Sequence, residues 1–158
     1  MYLKEFEIRW NDLDANRHLA NVSYVNYMSH TRMSFMNDNG INHKTMMKYK
    51  IGPVVFHEHI YYFKESFDGK IIVSFELDGM SADGKFFRFL HNFFNEEGQN
   101  LASCDMQGGW MDLQNRKLTP LPDEMLERFQ SAPKSDNFKI LTKEDMRAFA
   151  RSPKNLKF

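Results

Sequence analysis

The sequence predicts an α+β domain, an antiparallel sheet of about five strands wrapped around one long helix, with short C-terminal helices. Three features predict it: an alternating opening segment, one long stretch free of helix breakers, and four successive β-rich runs divided by turn signals. At 158 residues the chain fits one domain with room for a sizeable core.

In residues 2–10, Tyr2, Phe6, Ile8 and Trp10 share one face, with Lys4 the exception, which is the period of a half-buried strand. The polar run Asn11-Asp12-Leu13-Asp14-Ala15-Asn16-Arg17 follows, rich in short side chains that bond their own backbone and favour turns. From Asn21 to Asn39 there is no Gly or Pro. Val25, Met28, Arg32, Phe35 and Met36 recur there near helical spacing, and Asn39-Gly40 forms a stop. A shorter helical piece around His43–Tyr49 leads to Gly52-Pro53.

The runs 53–64, 70–81, 85–95 and 99–113 are rich in Val, Ile, Phe and Tyr and read as four consecutive antiparallel strands. Asp68-Gly69, Ala82-Asp83-Gly84 and Glu96-Glu97-Gly98 divide them. Ile71, Val73, Phe75 and Leu77 alternate with polar residues, and Ala102, Cys104, Met106, Gly108 and Trp110 form a second inward row. These elements make a domain over 1–125. The remainder, 126–158, is expected to be a C-terminal appendage of the same compact unit, with helical patterns near 123–130 and 142–150 and a surface suited to a partner subunit.

Composition narrows the function. The 21 basic and 21 acidic residues cancel, so no global field draws the chain to nucleic acid or to an anionic membrane. The charged, alternating start differs from the apolar core of a signal peptide, and no stretch approaches the roughly 20 apolar residues that span a bilayer. One cysteine, Cys104, permits no internal disulfide and fits a reducing compartment, so the expected location is cytoplasmic. Cys104 lies on an inward row and is read as core. With 15 Phe and 11 Met, the chain has much adaptable apolar surface for a core or for an acyl pocket.

The chemistry concentrates between the first strand and the long helix, where Asp12, Asp14 and His18 stand close to the helix start at Asn21. A helix N-terminus has unpaired N–H groups and a partial positive charge, and so stabilises oxygen on which negative charge builds. A carboxylate seven residues upstream supplies a base or nucleophile, and together these are the parts that thioester hydrolysis requires. Taken singly, Asp12 and Asp14 also suit turn caps, Asn21 a helix cap and His18 a hydrogen-bonded loop residue.

The whole segment, Asp12-Leu13-Asp14, His18-Leu19-Ala20-Asn21 and Tyr24, resembles the D-x-D-x-x-G-H-V-N-N-x-x-Y signature of the 4-hydroxybenzoyl-CoA thioesterase-like branch of the hotdog superfamily. The resemblance extends through Ser29–Phe35, Gly52-Pro53-Val54-Val55, Asn115-Arg116-Lys117 and Leu121-Pro122, covering roughly 4–125. It implies a hotdog fold and an acyl-CoA thioesterase with Asp14 as the catalytic carboxylate. It also implies that a backbone N–H near Asn21 holds the thioester carbonyl, with His18 beside them, and that the chain pairs as a homodimer or homotetramer.

Arg17 stands where the family has Gly, and Ala20 where it has the first Asn of a pair. If that Gly serves a positive φ, Arg17 must bear strain or the loop must differ. Tyr24, Arg17, His57, Lys85 and Arg88 are candidates for substrate contact, the last two, like Arg116 and Lys117, through CoA phosphates.

No cofactor is called for. His57-Glu58-His59 puts two histidines on one strand face, but no further metal ligand stands at a recognisable spacing. Gly79-Met80-Ser81-Ala82-Asp83 lacks the last Gly of a nucleophile elbow. Two other functions suit the same fold: a non-catalytic acyl-thioester binder, and a hydratase or dehydratase, whose Pro-containing His loop the sequence lacks.

Overall fold

The computed structural model describes residues 1–157. Its strands are β1 (Tyr2–Glu7), β2 (Ile51–Tyr62), β3 (Lys70–Met80), β4 (Phe86–Phe94), β5 (Asn100–Asp112), β6 (Lys117–Leu118) and β7 (Lys134–Ile140). Its helices are α1 (Asn21–Asp38), α2 (His43–Tyr49), α3 (Asp123–Gln130) and α4 (Lys143–Arg147). The main sheet runs β1-β3-β4-β5-β2, antiparallel throughout, with β6 beside β5 and β7 parallel to β3.

The inward rows expected from alternation are the core. Ile71, Val73, Phe75 and Leu77 of β3 and Ala102, Cys104, Met106 and Trp110 of β5, on either side of β4, are all buried. Helix α1 lies on this surface through Tyr24, Tyr27, Met28, Phe35 and Met36. Phe35 stacks on Phe75 at 4.5 Å between ring centroids, fastening helix to sheet. Fully burying each such side chain contributes about 1.5–3 kcal/mol. The helix ends where the Asn39 amide donates to the Phe35 carbonyl at 2.8 Å and Gly40 turns left-handed at φ +74°.

Arg32 belongs to the same helical row and is buried as well, so it needs polar company. Its guanidinium lies 3.5 Å from Glu58 of β2 and 3.5 Å from the His91 ring of β4. The Glu58 contact has ion-pair distance but poor hydrogen-bond alignment, leaving that carboxylate oxygen without a hydrogen-bond partner among the described residues.

Three elements differ from the sequence expectation. β1 ends at Glu7, because Arg9 folds its backbone and side chain onto the Asp12 carboxylate; this forms a 3-10 turn over Trp10–Asp12 and leaves Trp10 86% exposed. The stretch 134–140 is a strand. The helix after it spans only Lys143–Arg147, begun by Thr142, whose hydroxyl caps the Asp145 amide. Residues past 125 reach the core: Phe129 of α3 meets Phe87 and Trp110 edge-on.

Candidate active site

The segment between β1 and α1 is pinned at both ends. Asp12 is buried and accepts hydrogen bonds from the Arg9 backbone and guanidinium and, at 2.8 Å, from the Tyr27 hydroxyl of α1. Arg9 beside it holds the Asp12 carboxyl below its ordinary range, with Tyr27 adding to the effect against the cost of burial. Burial, with Asp12 beside it, pushes the Tyr27 phenol up. The Asp12 carbonyl accepts from the Ala20 amide and the Ser23 hydroxyl, tying the loop to the helix start. Asp12 is therefore a structural carboxylate.

Asp14, two residues on, is exposed. Its Oδ1 accepts from the amides of Asn16 at 2.8 Å and His18 at 3.1 Å, while Oδ2 has no protein partner among the described residues. The turn this closes puts Arg17 at φ +65°, a left-handed backbone for which Gly is the unstrained residue. The Gly position of the resembled signature thus holds the conformation that explains it, and Arg17 bears the cost.

Ala20, the residue before α1, has no side-chain acceptor, so nothing caps the helix. The N–H groups of Asn21 and Val22 consequently have no acceptor among the described residues. Asp14, His18, Asn21 and Tyr24 line one groove of about 350 Å³, closed on its far side by Tyr62, Phe63, Lys64 and Glu65. The free carboxylate and the amide-rich helix start therefore face a common space. Asp14 also borders a smaller cavity of about 140 Å³ with Trp10, Leu13 and Arg17.

Within the groove, His18 Nε2 lies 3.2 Å from a Glu65 carboxylate oxygen, and its ring meets Phe67 edge-on. Tyr24 is buried in the floor, edge-on to Tyr62 and Phe93, and burial raises its phenol pKa. Tyr62, Phe63, Lys64 and Glu65 escaped the reading of the sequence. Their signal is an aromatic run at the end of a strand followed at once by two opposite charges, a pattern with no fixed meaning until the loop it faces is known.

Among the candidates for substrate contact, Arg17 borders only the smaller cavity, and three lie away from both it and the groove. Arg88 is committed to Asp78, with Nε 2.5 Å from the carboxylate. Lys85 stands at a hairpin, its ammonium 3.9 Å from Asp83. His57 sits elsewhere on β2, stacked on His59 with ring centroids 4.8 Å apart. Among the described residues no three His, Cys, Asp or Glu side chains are grouped so as to hold a metal ion. Cys104 is buried, and burial pushes its thiol up to about 12, so it is protonated and inert. No helix among the described residues is long and apolar enough to cross a membrane.

Comparison with known proteins agrees with this architecture. The family model of the thioesterase-like superfamily matches residues 8–129. Among solved structures, YbaW, a probable thioesterase from Escherichia coli, superposes with a TM-score of 0.74 at 20% identity, covering 85% of this chain and 100% of that one. Slr0204, a 1,4-dihydroxy-2-naphthoyl-CoA thioesterase from Synechocystis, gives 0.73 at 16% identity over 82% and 96%. The hypothetical protein SAV2348 from Staphylococcus aureus, solved in complex with CoA, gives 0.73 at 15% identity over 96% and 95%. No curated protein matches the chain significantly. With the family match spanning the loop after β1, the long helix and strands β2 to β6, the chain belongs to the thioesterase-like superfamily and has the hotdog fold.

Proposed function

We propose that the protein is an acyl-CoA thioesterase that uses Asp14 as its reacting carboxylate. One observation carries this reading: Asp14, with a free oxygen, and the uncapped N-terminus of α1 line the same groove. A thioester is activated and a thiolate leaves readily, so a carboxylate and a preorganised donor suffice for hydrolysis.

The acyl carbon lies between the two. Its carbonyl oxygen gains negative charge as the tetrahedral adduct forms, and the Asn21 amide and the α1 dipole meet it there. Asp14 attacks that carbon directly, giving a mixed anhydride that water then opens, or draws a proton from a water that attacks in its place. By either route the carbon–sulfur bond breaks, water supplies the new acid oxygen, and the thiolate takes a proton to leave as free CoA. Two amides on Oδ1 fix the carboxylate, and His18, linked to Glu65, borders the leaving side. Tyr24 and Tyr62 wall the acyl group, and Arg17 borders the smaller cavity beside Asp14.

CoA as the carrier accords with SAV2348, which was solved with CoA. We also propose a homodimer or homotetramer that completes the groove. β2 ends the sheet with its outer edge unpaired among the described residues and carries exposed Val55, Phe56, Tyr61 and Tyr62, an edge that association would cover. A cytoplasmic location, where CoA thioesters and reduced cysteine coexist, belongs to the same proposal. The test is a panel of aliphatic and aromatic acyl-CoAs incubated with the protein and a thiol-trapping dye. Stoichiometric release of free CoA and acid is expected; substrates that bind but are never cleaved would make the protein a binder.

A further inference from the structure

On the sheet face turned away from α1, residues 146–151 fold back over β2 and enclose a chamber of about 520 Å³. It shares no residue with the Asp14 groove. We propose that this chamber binds a small monocarboxylate with an apolar body.

Its volume lies within the range of small-molecule sites, and its lining mixes aromatic and small apolar side chains with four convergent polar ones. Phe56 and Phe149 are the aromatic walls, and Phe149 packs edge-on to both His57 and His59, at 5.4 and 4.7 Å. Two donors reach the chamber. Arg151, exposed, has no carboxylate partner among the described residues and supplies the positive charge. His57 makes no hydrogen bond there. His59 gives its N–H to Asp105, 3.2 Å from Nδ1, and in that tautomer its other nitrogen is an acceptor. Burial, with His59 adjacent and Asp105 opposing, lowers the His57 pKa, so at neutral pH it is an uncharged N–H donor.

Gln107, 2% exposed, also borders the chamber, its side-chain oxygen without a hydrogen-bond partner among the described residues. Because the two ends of an amide are interchangeable in placement, it offers an N–H or a C=O to an occupant. One guanidinium and one imidazole N–H beside aromatic walls are the complement of an anion whose remainder is hydrophobic. A free acid of this kind is the product of the hydrolysis proposed above; that link rests on that reading, whereas the binding does not.

Titration calorimetry of the full chain with octanoate, benzoate and inorganic phosphate tests the proposal. Both carboxylates should bind about ten-fold or more weaker to Arg151→Ala and to His57→Ala than to the unmodified chain, and equally well to Asp14→Asn, with phosphate failing to compete. Arg151 is exposed, so its variant keeps the fold. The proposal is overturned if neither carboxylate binds, if Asp14→Asn abolishes binding, if both chamber variants bind as the parent does, or if phosphate competes equally. Since Asp14→Asn is read by binding alone, failure of the hydrolytic reading leaves this result distinct.

Discussion

The Tyr27 hydroxyl donates to the buried carboxylate of Asp12 at 2.8 Å, joining the loop that carries Asp14 to the second turn of the long helix. Tyr27→Phe removes that donor from a buried charge and should cost about 1–3 kcal/mol in denaturant unfolding. Asp12→Asn weakens the same cluster and should also lower turnover, since the Asp14 turn hangs from it. Unchanged stability in both variants would show that the cluster does not hold the loop.

Arg17 carries left-handed strain at φ +65°. Arg17→Gly should raise the stability of the fold by about 1 kcal/mol, and Arg17→Val, β-branched at the same φ, should lower it by about 1–2 kcal/mol. Melting temperatures of the two variants, read against the parent, check the order.

Gly108 of β5 has no room for a methyl group: a Cβ there would overlap the Val54 carbonyl oxygen and come within 2.5 Å of the Phe87 ring. Gly108→Ala should therefore destabilise the protein by about 1–3 kcal/mol through overpacking, seen as a lower urea midpoint with an unchanged slope.

His91 is fully buried, and burial, with Arg32 adding, lowers its pKa from 6.5 to about 3. Below pH 6.5 the unfolded chain takes a proton that the folded chain refuses, so stability falls as pH drops from about 6.5 toward 3. This one group contributes up to about 1.4 kcal/mol per pH unit across that window. His91→Gln should flatten the slope of stability against pH between those limits, and an unaltered slope would show that His91 is not the group responsible.

The sheet and α1 were legible because their side chains alternate, or recur every third or fourth residue, against one buried surface, as Ile71 through Leu77 and Tyr24 through Met36 do. β7 was not, because Lys134-Ser135-Asp136-Asn137-Phe138-Lys139-Ile140 is largely exposed and joins β3 at only a few pairs, so no face of it had to be apolar. Arg32 stood in the helical row, yet its partners Glu58 and His91 come from strands far along the chain, and no local pattern announces them. The different surroundings of Asp12 and Asp14 escaped the sequence for the same reason. Arg9 and Tyr27 bury the first, while only local amides hold the second. The uncapped helix start was visible as Ala20, but its meaning needed the groove in front of it.

Steady-state hydrolysis of an acyl-CoA substrate by Asp14→Asn, with its melting temperature measured alongside, addresses the assignment of residue 14 most directly. The amide keeps an oxygen for the Asn16 and His18 donors but is neither a nucleophile nor a base. The expected result is a fall in kcat of about 10²–10⁴-fold at unchanged melting temperature. Full turnover by a folded Asp14→Asn protein would contradict the account.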